Sequence, residues 1–106
     1  VRVILSRQAK LDVSKAVDWY EAQREGLGTE FIESVDECVG RIGANPLAYR
    51  VVSGDNRRAN LERFPYALFY KVRDEVVVVA CLHAKRSPSL AKERAAGVLE
   101  FRKPKP

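Results

Sequence analysis

No apolar run in this 106-residue chain approaches the roughly 18 residues that a membrane-spanning helix needs, so no spanning segment is expected. Residues 1–5 are too short for the apolar centre of a secretion signal, and Arg7 interrupts them. Only two cysteines occur, Cys38 and Cys81, with no CxxC and no His/Cys cluster. That pattern argues against a disulfide framework or a metal centre. It reads as two small buried hydrophobes in a reducing compartment. His83 is the single histidine, and a lone histidine on a strand is more often structural than catalytic. There is no GxGxxG, no P-loop, no pair of metal carboxylates and no nucleophile–base spacing. Gly26-Leu27-Gly28 is a helix–helix turn rather than a phosphate loop. No cofactor is therefore expected. Repeats, low-complexity stretches and internal linkers are also lacking. The length fits one domain, over residues 1–98, with a basic, Pro-rich tail at 99–106.

What is present is charge and a β-rich centre. Charged residues make up 31% of the chain and the net charge is +5, with a pI near 9.5. A small basic domain suits nucleic acid or an acidic protein partner, or simply solubility. Residues 57–72 and 76–86 are dense in aromatic and β-branched side chains, which suit a pleated, half-buried surface.

Residues 1–5 read as a short strand, and Ser6 can cap a helix. From residue 7 to about 24, Ala9, Val13, Ala16, Val17 and Tyr20 recur at helical spacing. Trp19 lies off that stripe and either shields its edge or docks a partner. Gly26 suits the left-handed position after a helix end, and Thr29 or Gly28 can begin the next helix. From residue 30 to about 43 the stripe is Phe31, Val35, Cys38, Val39 and Ile42, ended by Asn45-Pro46. Two such helices with a short joint form an αα-hairpin. Residues 53–56 are a turn, and Pro65 belongs at a strand start or edge. A two-residue turn at Asp74-Glu75 sets Val72 against Val77, Tyr70 against Val79, Leu68 against Cys81 and Tyr66 against His83. The face with Tyr66, Leu68, Tyr70, Val77, Val79 and Cys81 is expected to receive the helices. Val76, Val78, Ala80 and Leu82 on the other face need a cover, from the C-terminal segment or a partner. A last short helix is expected at about 89–98. The fold class is α+β: an N-terminal strand, a helical hairpin, then largely antiparallel strands.

Arg57, Arg58, Arg63, Lys85 and Arg86 can hold phosphates or acidic side chains if the two strand ends are neighbours. His83 and Tyr66 stand close to this set. Tyr66, Phe69 and Tyr70 read as core rather than as stacking platforms for bases.

Several motifs, taken in order, resemble the RelE/ParE superfamily of type II toxins. They are Trp19-Tyr20-Glu21, the run from Gly26 to Phe31, Asn45-Pro46, Arg57-Arg58, the run from Leu61 to Tyr66, Tyr70 and the run from His83 to Pro88. The likeness spans about residues 1–95 and implies a small cytoplasmic toxin held inactive by a cognate antitoxin, whose C-terminal segment wraps it. RelE-like members cleave mRNA in the ribosome with basic residues and a Tyr, whereas ParE-like members poison DNA gyrase. The ribonucleases carry basic residues on either side of the Leu matching Leu61, where this chain has Asn60 and Glu62. They carry a Tyr six positions beyond the Arg matching Arg86, where this chain has Lys92. Only Arg86, with Arg58 at most, keeps a counterpart. The resemblance therefore implies the ParE branch, with gyrase as target and Arg57, Arg58, Arg63, His83, Lys85 and Arg86 as contacts to target or antitoxin. The alternative is a ribosome-dependent mRNA endoribonuclease using Arg58, His83 and Arg86.

Overall fold

A computed structural model describes residues 1–85. Arg86, the helix expected at 89–98 and the tail at 99–106 lie outside the described residues. The elements are β1 (Val3–Leu5), α1 (Arg7–Gln23), α2 (Leu27–Ala44), β2 (Val51–Ser53), β3 (Asn56–Asn60), β4 (Tyr66–Val72) and β5 (Val76–His83). The five strands form one mixed sheet in the order β1-β5-β4-β3-β2. Only β1 is parallel to its neighbour, pairing Val3, Ile4 and Leu5 with Val76, Val77 and Val78. The fold is thus α+β, with the helical hairpin on one face of the sheet.

Both helices begin with a satisfied end. Ser6 caps α1 by accepting from the Ala9 N–H at 3.1 Å. α2 starts at Leu27, ahead of both Thr29 and Gly28, the two residues expected to begin it. Gly26, at φ 89°, turns the chain in the left-handed region. Glu21 on α1 then reaches across the turn and accepts from the N–H groups of Gly26 at 3.0 Å and Gly28 at 2.9 Å. Its negative charge also sits at the positive end of α2.

The predicted stripes pack as a single core. Ala9, Ala16, Phe31, Val35, Cys38 and Ile42 meet Leu68, Tyr70 and Cys81 from the sheet. Tyr20 stacks on Phe31 with ring centroids 5.3 Å apart, and Phe64 closes on Phe31 edge-to-face at 5.1 Å.

The β4–β5 register corrects the expectation in one half. From Tyr66↔His83 to Phe69↔Ala80 the pairs follow the expected register. The connection is Arg73-Asp74-Glu75, three residues rather than two, so Val72 pairs with Val76 and Tyr70 with Val78. A bulge at Val79 absorbs the difference. Because side chains alternate along a strand, this one-residue slip exchanges faces. Val76 and Val78 face the helices, while Val77 and Val79 join Ala67, Phe69, Ala80 and Leu82 on the opposite face. That second cluster is buried, with Ile4 and Val52 packed against it, and neither α1 nor α2 lies on it.

Candidate functional site

A groove of about 620 Å³ opens between α1 and the end of the sheet where β4 starts and β5 stops. On the α1 side it is lined by Asp12, Lys15, Trp19 and Tyr20. Pro65, Tyr66, Leu82 and His83 line it from the sheet. Helical geometry sets Asp12, Lys15, Ala16 and Trp19 on neighbouring turns of one side of α1. Asp12 ties the two walls together, accepting from the backbone N–H of Cys81 at 3.0 Å. Pro65, which cannot donate to a ladder, stands just before β4 and accepts from the Ala84 N–H at 2.7 Å. Aromatic rings run continuously from the core to this opening. Trp19 lies edge-on to Tyr20 at 5.1 Å, Tyr20 contacts Phe31, and Tyr66 meets His83 at 5.4 Å. Trp19 itself is 58% exposed. The Tyr20 hydroxyl is held above its usual pKa by burial and by the neighbouring Tyr66.

The basic residues singled out in the sequence are placed apart. Arg57 faces the helices opposite Tyr70 and donates to the carbonyls of Leu47 at 3.3 Å and Tyr49 at 2.7 Å. Arg58 points to the other face, donating to Asn60 Oδ1 at 3.0 Å with its guanidinium 5.5 Å from the Phe69 ring centre. Adjacent residues on one strand cannot share a face, and β4 separates β3 from β5. Arg63 pairs with Glu30, which also accepts from Arg24 at 2.9 Å. The hydrogen bonds from Arg24 and Arg63 hold the Glu30 carboxyl below its ordinary range. His83 and Lys85 remain together at the end of β5, where His83 Nδ1 accepts from the Lys85 N–H at 3.2 Å. Of the expected aromatics, Phe69 and Tyr70 are core, whereas Tyr66 is partly exposed and lines the groove.

Two working residues escaped sequence reasoning. The cap from Glu21 had a signal: a carboxylate just before a helix end followed by two glycines. A cap drawn from the preceding helix nonetheless becomes visible only once the turn is closed. Asp12 gave no signal, because its partner is the backbone of a residue 69 positions away. Neither cysteine is poised for chemistry. Burial pushes the Cys38 thiol up to about 11 and the Cys81 thiol to about 12. Among the described residues no cluster of three or more His, Cys, Asp or Glu could hold a metal ion, and no helix is long and apolar enough to cross a membrane.

A helical hairpin on one face of a mixed five-stranded sheet, with an aromatic groove at the sheet's end, defines a small α+β domain. The sequence model of the family described as "ParE toxin of type II toxin-antitoxin system, parDE" matches residues 3–88. The chain belongs to this family and is a ParE-like type II toxin, for which the parDE pairing implies a cognate antitoxin. Among solved structures, a chain from "Chromosomal ParDE TA system from P. aeruginosa" superposes with a TM-score of 0.62 at 20% identity. The match covers 78% of this chain and 95% of that one, and at this identity it speaks to the fold alone. No curated protein matches the chain in sequence.

Proposed function

We propose that this toxin inhibits DNA gyrase by binding its surface, without catalysing bond cleavage. ParE membership makes gyrase the expected target. The observation that carries the non-catalytic reading is what surrounds Leu61. Asn60 and Glu62 stand where a ribonuclease relative has basic groups. The nearest cations have structural tasks: Arg58 donates to Asn60 Oδ1 and Arg41 donates to the Asn60 carbonyl at 3.0 Å. Arg63, His83, Lys85 and Arg86 then serve as contact residues, for gyrase or for an antitoxin in the toxin's own cytoplasm. The complex with that antitoxin is expected to bury well over about 1,000 Å².

The test incubates purified toxin with gyrase and supercoiled plasmid, and in parallel with translating ribosomes. Trapped or linearised DNA with intact mRNA is expected. His83→Ala is expected to weaken gyrase inhibition by less than about 10-fold, as for a contact outside an interface centre. Codon-phased mRNA cuts that drop by ~10²–10⁴-fold in His83→Ala would replace this reading with the ribonuclease.

A further inference from the structure

We infer that residues 86–106 of this chain close the sheet face turned away from the helices, adding a third layer to the fold. The inference needs neither a gyrase target nor an antitoxin. It rests on the burial of that face and on the chain left to cover it.

The first observation is burial for which the described elements supply no layer. Ala67, Phe69, Val77, Val79, Ala80 and Leu82 form one apolar cluster, and none is more than 5% exposed. Lys71, opposite Val77 on this face, is buried as well. Side chains of a strand stand perpendicular to the sheet, so neighbouring strands shield them from the flanks and a further layer must shield them from above. α1 and α2 pack on the other face, against Leu68, Tyr70, Val76 and Val78. The partly buried residues that pack on the cluster are Ile4 and Val52, and these belong to β1 and β2 of the same sheet. They flank the cluster without covering it. The face nonetheless reaches this burial within a single chain. Neither a second copy nor a partner provides it.

The second observation is the chain that remains. β5, an inner strand of this face, ends at His83, and residues 86–106 follow directly. In that stretch Leu90, Ala91, Ala95, Val98 and Leu99 recur at the spacing of one apolar helix face, with Glu93 and Glu100 off it. A helix from 90 to 99 is about 14 Å long. The stretch of β5 from Val77 to Leu82 that needs covering is about 17 Å long. Length and apolar pattern therefore match the face. A tethered segment also closes it at little entropic cost, because the connection from β5 is only a few residues long.

The experiment is methyl NMR on the full-length chain with labelled Val and Leu. Nuclear Overhauser contacts are expected from Leu90, Val98 and Leu99 to Val77, Val79 and Leu82. They should survive dilution and vanish from an isotope-filtered spectrum of mixed labelled and unlabelled chains, which reports contacts between molecules alone. Leu90→Ala and Val98→Ala should each lower Tm by roughly 5–15 °C. Alanine keeps helix propensity, so that loss reads out burial. Glu93→Gln, off the apolar pattern, should shift Tm by less than about 4 °C. Contacts that appear only between molecules assign the face to a second copy and overturn the proposal. Face methyls with no contact to residues 86–106 overturn it too, as does melting of both alanine variants at the wild-type temperature.

Discussion

Lys71 is a buried lysine on the sheet face away from the helices, and among the described residues its ion-pair partner is Asp55. Its side chain is 9% exposed, beside Val77 and Phe69, and its Nζ lies 3.0 Å from Asp55 Oδ1. Asp55 sits in the β2–β3 turn after Gly54 and also accepts from Arg73 at 2.7 Å. Asp55→Asn leaves the ammonium of Lys71 without its counter-charge. Breaking a fully buried pair costs about 3–5 kcal/mol, because the remaining charge is stranded. Asp55 is 56% exposed, so water reaches the broken pair, and exposed pairs are worth about 0–1 kcal/mol. The expected loss lies between, at about 1–3 kcal/mol, or roughly 4–12 °C in Tm for a domain of this size. Lys71→Met, which replaces the charge with an apolar chain of similar length, should be nearly neutral. Adding Asp55→Asn to Lys71→Met should then cost much less than Asp55→Asn alone, a coupling of about 1–2 kcal/mol. The pH dependence has a defined sign. Burial raises the Asp55 pKa, but the hydrogen bonds and charges of Arg73 and Lys71 outweigh it and leave the carboxyl below its ordinary value. A depressed carboxyl contributes stability above its unfolded pKa, about 3.9, and loses it as pH falls through the lower folded value. The gap between wild type and Asp55→Asn should therefore be constant above about pH 5 and close below about pH 4. Urea denaturation of the four proteins at pH 7 and pH 3.5 measures both. Additive losses, or a gap that persists undiminished at the lowest pH where the wild type folds, refute the pairing argument.

The glycines of the hairpin should separate by mechanism in the same assay. Gly28→Ala sets a Cβ 3.0 Å from the Val17 carbonyl and 2.9 Å from Glu21 Oε1, and should destabilise by about 1–3 kcal/mol through overpacking and loss of the cap. Gly26→Ala meets no atom but holds φ at 89°, for about 1–2 kcal/mol of strain, whereas Gly40→Ala, exposed in α2 with open space around it, should stabilise by about 0.5–1 kcal/mol. Both thiols are buried and raised in pKa, so labelling by a disulfide reagent at pH 8 should wait for unfolding. Rapid modification of either cysteine in the native toxin would show that the core around it opens.

Much of this protein was legible in one dimension because the signals are local. The stripes of α1 and α2, the Ser6 cap, the left-handed Gly26 and the stop at Asn45-Pro46 each depend on residues within a turn or two of one another, where backbone geometry dictates who meets whom. The motifs that carried the family resemblance are legible for the same reason. They include sites of close packing, such as Gly28 against Val17 and Phe31 stacked on Tyr20. Tertiary structure decided the rest. A third residue in the β4–β5 turn and the bulge at Val79 moved Val77 and Val79 to the opposite face, since a period of two turns a single-residue slip into an exchange of sides. The parallel pairing of β1 with β5, the Asp12 bond to Cys81 and the Glu21 cap all join groups whose sequence separation or rotamer carries no periodic trace. The distribution of the basic residues was settled by the same means. Neighbours on a strand point apart, so Arg57 and Arg58 serve opposite faces, while Trp19, off the stripe by helical spacing, is left at the surface beside the one groove described between α1 and the sheet.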